Sequence, residues 1–211
     1  MTQVISVVQE KGGAGKTTLL TAIASLMVAD GAKIAVIDTD PQRHLESWAK
    51  KGLTNVDWLF EEDDEKLLPT VKALKKAEPA YDAIFVDAIA AANLILIPSK
   101  ANEADAKGAK RTFSHVQSVA ETMEKEIIAL VVMMDVDAHT NITQAIVDAL
   151  DAQGVPRLNA MCAHRTGFKE MTSTGMAPQG SAKISAQSVL ADLQSRGLIT
   201  YYRSGSWPKL A

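Results

Sequence analysis

The chain has little that would tie it to an oxidising compartment, a membrane or a polyanion. A single cysteine, Cys162, stands among 211 residues. That excludes an intrachain disulfide and fits a reducing cytosol. The formal net charge is −3. With no overall basic field, any contact with nucleic acid needs a local patch. No apolar run reaches the ~20 residues of a membrane-spanning helix, and the N-terminus reads as a strand rather than a signal peptide. The stretch from Tyr201 to Pro208 does not read as a basic amphipathic anchor. Histidine occurs at His44, His115, His139 and His164 only, without metal-ligand spacing. Trp48, Trp58 and Trp207 carry no motif, and no internal repeat or low-complexity linker is visible. A chain of this length fits one domain able to bury about 70% of its unfolded surface.

The stretch that organises the rest is Lys11-Gly12-Gly13-Ala14-Gly15-Lys16-Thr17-Thr18. It follows the apolar run from Val4 to Val8, which predicts a buried strand. It opens Leu19 to Val28, which predicts an amphipathic helix. Strand, glycine-rich turn and helix form the setting of a phosphate-binding loop. Gly12, Gly13 and Gly15 let the backbone curl and turn its N–H groups inward, and the helix N-terminus adds positive potential there. Lys16 would reach the β- and γ-phosphates, and the Thr17 hydroxyl would ligate Mg²⁺. The spacing GxxxxGK[ST] asks for glycine at position 10, where Glu10 stands. The motif is therefore a variant, with its glycines shifted inward and a second lysine, Lys11, ahead of them.

The remaining pattern alternates strands and helices. Lys33 to Asp38 predicts a second strand, and Asp38 and Asp40 then sit at its carboxyl end, where open α/β sheets place ligands. Arg43 to Lys51 reads as a short helix, Val56 to Phe60 as an edge strand, and Leu67 to Lys76 as a helix after the acidic run Glu61 to Glu65. Ala83 to Asp87 and Asn93 to Pro98 read as the next strands. Helices over Ala104 to Met123, Asn141 to Gln153 and Ser185 to Arg196 alternate with strands over Ile127 to Met134 and Arg157 to Met161. The expected fold is α/β, three-layered, with a mostly parallel twisted sheet flanked by helices. One link is anomalous. Only Ala88-Ile89-Ala90-Ala91-Ala92 separate Asp87 from Asn93, whereas a parallel crossover takes a dozen or more residues. The sequence points to ~10–18 residues missing here, by deletion or from the chain as given, with an antiparallel pairing as the alternative.

The variant loop resembles that of the ParA/MinD family of deviant Walker ATPases. So do Asp38-Thr39-Asp40-Pro41-Gln42, the strand ending at Asp87, and Leu94-Ile95-Leu96-Ile97-Pro98, in order over the first half of the chain. The size and the Asp-x-Asp-Pro-Gln motif are most similar to short plasmid-partition ParA proteins, with the VirC-type proteins of DNA transfer next. The resemblance implies a P-loop NTPase fold and a slow, Mg²⁺-dependent ATPase that cycles between ATP and ADP as a cytoplasmic, nucleoid-associated switch. It implies that residues 11–18 hold the nucleotide, with Ala14 and Thr18 in the cradle, and that Asp38 acts on the metal's shell through water. Asp40 would orient the attacking water. Asp87 would be the Walker B aspartate, with helix capping the alternative reading because Ala88 departs from the usual threonine. Lys11 would reach the partner subunit's nucleotide, so ATP would bring two copies together.

The resemblance further implies a homodimer with ATP, a ParB-like stimulatory partner and sequence-independent DNA contact. Lys169, Lys183, Arg196, Arg203 and Lys209 are either that basic face or ordinary surface charge. The same switch could serve conjugative or T-DNA transfer, or the positioning of a protein complex. If the short link is real, a nucleotide-binding module without hydrolysis is a further reading. A small-molecule kinase fits least, since no acceptor site is evident. Cys162 and the methionines, Met133 and Met134 among them, read as core filler.

Overall fold

The computed structural model describes residues 2–41, 43, 45, 56–86 and 88–199. Its strands are β1 (Gln3–Val7), β2 (Ile34–Asp38), β3 (Val56–Phe60), β4 (Ala83–Val86), β5 (Leu94–Ser99), β6 (Ile128–Val136) and β7 (Arg157–Ala163). They form one sheet in the order β3-β2-β4-β1-β5-β6-β7, every pairing parallel. The central strands are buried throughout, as strands covered on both faces must be: β2, β4 and β5 expose no residue. The helices are α1 (Lys16–Ala29), α2 (Asp64–Lys75), α3 (Glu103–Thr122), α4 (Asn141–Ala152), α5 (Thr166–Thr174) and α6 (Gly180–Ser195). One apolar cluster joins the sheet to α1, α5 and α6, and a second joins its other face to α2, α3 and α4. The three-layered α/β expectation is met.

Local chemistry sets the helix starts. The Asp63 carboxylate accepts from the Glu65 amide at 3.0 Å, the Asn102 side-chain carbonyl from the Asp105 amide at 2.9 Å, and the Thr140 hydroxyl from the Thr143 amide at 3.3 Å. Helix α1 differs. Gly15 stands at its N-cap with φ +105°, and no side chain caps it. Its first amides are left to whatever occupies the loop.

Three expectations change. Helix α1 is not amphipathic: Leu19 through Val28 are all buried, because α5 and α6 pack over the side that a surface helix would show to water. Helix α6 starts at Gly180 rather than Ser185, and its early Ala182 is buried. The link after β4 is short and yet the sheet stays parallel, so the antiparallel alternative is excluded. β1 lies between β4 and β5, with Ile5 flanked by Phe85 on one side and Leu94 on the other. The chain therefore steps sideways over one strand and back by only about two residues. Asn93 secures the landing, donating its amide to the Val4 carbonyl at 2.9 Å and accepting the Val4 amide on its side chain at 3.3 Å. The Lys125 ammonium donates to the carbonyls of Ala90 at 3.0 Å and Ala92 at 2.6 Å, tying down the turn between. The helix expected over Arg43 to Lys51 lies outside the described residues except at Arg43 and Leu45.

Candidate functional site

The loop from Glu10 to Gly15 joins β1 to α1 at the carboxyl edge of the sheet. Two of its glycines adopt left-handed backbone, Gly13 at φ +76° and Gly15 at φ +105°. A Cβ on Gly15 would find ordinary contact with Met134 at 3.6 Å, so its backbone angle, not space, demands glycine there. Gly12 is under neither constraint: it has no positive φ, and nothing lies within 4 Å of a Cβ built on it.

Lys16, Thr17, Asp38 and Asp40, which the sequence places far apart, line one small cavity with Val7, Leu20 and Leu45. Asp38 is 2% exposed. Its carboxylate accepts the Asp40 amide at 3.0 Å and the Leu45 amide at 3.1 Å, which fixes the start of the loop carrying Asp40. The Lys16 ammonium donates to the Gln9 carbonyl at 3.1 Å, folded back along the loop. Thr17 and Asp38 supply hard oxygen donors of the kind Mg²⁺ takes. Asp87 lies outside the described residues. Among the described residues, no group of three or more His, Cys, Asp or Glu side chains could hold a metal ion by itself.

A second cavity of about 160 Å³ opens on the other side of the loop. Gly13, Ala14, Gly15 and Thr18 form one wall, and Met134, Asp135, Arg165, Phe168 and Lys169 line the rest. Asp135 sits at a β-bulge in β6 with φ +57°, a conformation that turns a non-glycine residue out of the ladder. Its carboxylate pairs with His164 and lies 3.7 Å from the Lys100 ammonium. The sequence did not assign Asp135, Arg165 or Phe168 to this loop.

Lys11 lines neither cavity. Its ammonium lies 2.6 Å from Oδ1 of Asp105 in the first turn of α3, an ion pair without hydrogen-bond alignment. The Asp105 side chain is 3% exposed, that of Lys11 43%. The other carboxylate oxygen accepts from the Asn102 side chain at 2.6 Å. Helix α3 grips the same stretch further along. Thr112 donates to the Gln9 side chain at 2.9 Å, and Arg111 pairs with Glu10 at 3.4 Å. Sequence reasoning missed Asp105. Asn102 and Asp105 have the three-residue spacing of a capping pair, which signals a helix start but not a partner for Lys11.

Arg196 pairs with Asp192 at 2.7 Å, Lys169 lines the larger cavity, and Arg203 and Lys209 lie outside the described residues. Lys183 lies on α6, apart from both assignments. Cys162 is fully buried, and burial pushes its thiol up to about 12, as a core residue rather than a reactive one. Met133 and Met134 are buried. No helix among the described residues is long and apolar enough to cross a membrane.

A family model described as VirC1 protein matches residues 2–199. The carboxysome distribution maintenance protein A of Halothiobacillus neapolitanus is 26% identical over 82% of this chain and 84% of its own. A virC1 protein of Rhizobium radiobacter is 30% identical over 61% of each chain, and a ParA protein of the same species 24% identical over 82% of this chain and 83% of its own. Among solved structures, a putative plasmid partition protein of Borrelia burgdorferi bound to AMPPNP superposes with a TM-score of 0.73 at 12% identity, covering 93% of this chain and 100% of that one. The MinC:MinD complex of Aquifex aeolicus gives 0.73 at 20% identity over 98% and 100%. A cobyrinic acid a,c-diamide synthase of Mycobacterium smegmatis with ADP and magnesium gives 0.70 at 15% over 93% and 95%. These structures share the fold of the ParA/MinD-type P-loop ATPases.

Proposed function

The chain belongs to the VirC1 family, and on that premise we propose that it is an ATP-hydrolysing switch that dimerises on ATP and positions a DNA cargo. One observation carries this reading: Lys16, Thr17, Asp38 and Asp40 converge on a single cavity under a loop whose helix has no cap of its own. Uncapped amides at a helix N-terminus suit the oxygens of a polyphosphate. Lys16 leaves the Gln9 carbonyl for the β- and γ-phosphates. Asp40, braced by Asp38 through its amide, orients the attacking water. Thr17 and Asp38, with Asp87, would hold Mg²⁺, which when bound neutralises charge across the phosphates. The larger cavity beside Gly15 takes the nucleoside.

Lys11 acts outside its own site. A lysine paired with Asp105 in the lone chain is available to a second copy's nucleotide once that pair opens. Occupancy and dimerisation are then one event, as a switch requires. The VirC1 match favours delivery of the cargo for DNA transfer, while the ParA and carboxysome relatives favour partition or positioning. A stimulatory partner and sequence-independent DNA contact belong to this reading. If the link after β4 has cost the chain its γ-phosphate sensor, the same geometry serves a nucleotide-binding module without turnover. ATP binding and hydrolysis, measured on the wild type, Lys16→Ala and Asp40→Ala, separate the two. The switch predicts that Lys16→Ala loses ATP and that Asp40→Ala keeps it but hydrolyses at least about tenfold more slowly. Wild-type binding without any hydrolysis leaves the module.

A further inference from the structure

The sheet face covered by α2, α3 and α4 is built from crossovers, and one of them carries no helix. The chain passes from β3 to β4 through α2, from β5 to β6 through α3, and from β6 to β7 through α4. From β4 to β5 it passes through a bare turn over β1. A groove of about 520 Å³ opens where that helix is absent. Its walls are Leu68 on α2 and Val119 on α3, and its floor is Val8, Leu67 and Ile89. All but Leu67 are only partly buried, so apolar surface is left to water.

The groove carries negative charge at the start of α2. Asp64 lines it at the start of α2, within the run Glu61 to Glu65. Within that run, Asp63 pairs with Lys66 at 3.0 Å. The Lys125 ammonium sits on the carbonyls of Ala90 and Ala92 in the turn, with Lys75 near enough to act on its charge.

We infer that this groove docks an amphipathic helix of a partner protein, apolar toward Ile89 and basic at the end that meets Glu61 to Glu65. The occupant replaces the crossover helix the chain does not have. Its apolar face covers Ile89, Leu68 and Val119. Its cations meet the acidic start of α2, and a helix acidic there is rejected by like charge. The inference does not depend on nucleotide.

The probe is a fluorescein-labelled, 18-residue peptide of leucine and lysine with helical amphipathic spacing and its lysines concentrated toward one end. A scrambled peptide of the same composition is the control. Fluorescence anisotropy is read without nucleotide on the full chain, Ile89→Glu and Asp64→Lys, with thermal unfolding to show that each variant folds. The expected result is saturable binding to the wild type that weakens at least about tenfold in both variants and is absent for the scrambled peptide. Asp64 is exposed on the first turn of α2, so its substitution tests the groove even where Ile89→Glu disturbs packing. No binding, equal binding to wild type and both variants, or equal binding of the scrambled peptide overturns the inference. If instead the wild type self-associates without nucleotide and Ile89→Glu prevents it, a second copy fills the groove and the partner reading fails.

Discussion

Removing the Lys11 ammonium should unmask a buried carboxylate. The pair stands at 2.6 Å, with Asp105 3% exposed and Lys11 43% exposed. Coulomb's law at that separation gives about 1.6 kcal/mol at the dielectric constant of water and about 6 kcal/mol at an effective value of 20. The exposed ammonium keeps the true value near the lower limit, and ordering a long lysine side chain costs part of it. The net coupling should therefore be about 1 kcal/mol. Urea unfolding of the wild type, Lys11→Ala, Asp105→Asn and the double variant isolates it as a double-mutant cycle. Lys11→Ala should be the more destabilising single change, because it strands a charge with only the Asn102 amide near it. Asp105→Asn should destabilise less and should lower the ATP concentration at which two copies associate, since Lys11 no longer has to leave a partner. A coupling below ~0.3 kcal/mol would refute the pairing and with it the resting position assigned to Lys11.

Gly15→Ala should cost about 1–2 kcal/mol by forcing a Cβ into left-handed backbone. Gly12→Ala should leave the melting temperature unchanged, since its Cβ meets nothing, yet weaken ATP; a calorimetric titration beside a melt checks both. Asp192 takes the amides of Asn159 at 2.6 Å and Ala160 at 2.9 Å and the Arg196 guanidinium, so Asp192→Ala should lose about 2–4 kcal/mol in urea unfolding. Burial raises the Asp192 carboxyl, but those two amides and Arg196 outweigh it and hold it below its ordinary 3.8. A depressed native value stabilises above the unfolded one and is lost as pH falls through the native one. Stability should thus decline below ~pH 4, and Asp192→Asn should flatten that limb. With its thiol raised to about 12 from 9.0, Cys162 should react with an aromatic disulfide on the order of a thousandfold more slowly in the native than in the unfolded chain.

The loop, its two flanking elements and the aspartates after β2 were legible because glycine spacing and an apolar run before them state local geometry directly. The parallel sheet was legible from continuous apolar strands. What stayed hidden depends on contacts between distant parts of the chain. Nothing local links Lys11 to Asp105, and nothing in Leu19 to Val28 tells a helix covered on one side from one covered all round. The parallel course of the short link was not legible, because crossover length says nothing without the strand order. Once β1 is known to lie between β4 and β5, a sideways step and two residues of return suffice. The place of Arg165 and Phe168 beside Gly15 follows from the sheet order alone.

The most direct test of the switch is light scattering with size exclusion on the wild type, Lys11→Ala and Asp40→Ala, each with ATP, ADP and no nucleotide. The account predicts an ATP-dependent wild-type dimer, a lasting ATP dimer for Asp40→Ala, and a monomer for Lys11→Ala that still binds ATP. Three monomers with ATP bound would contradict it.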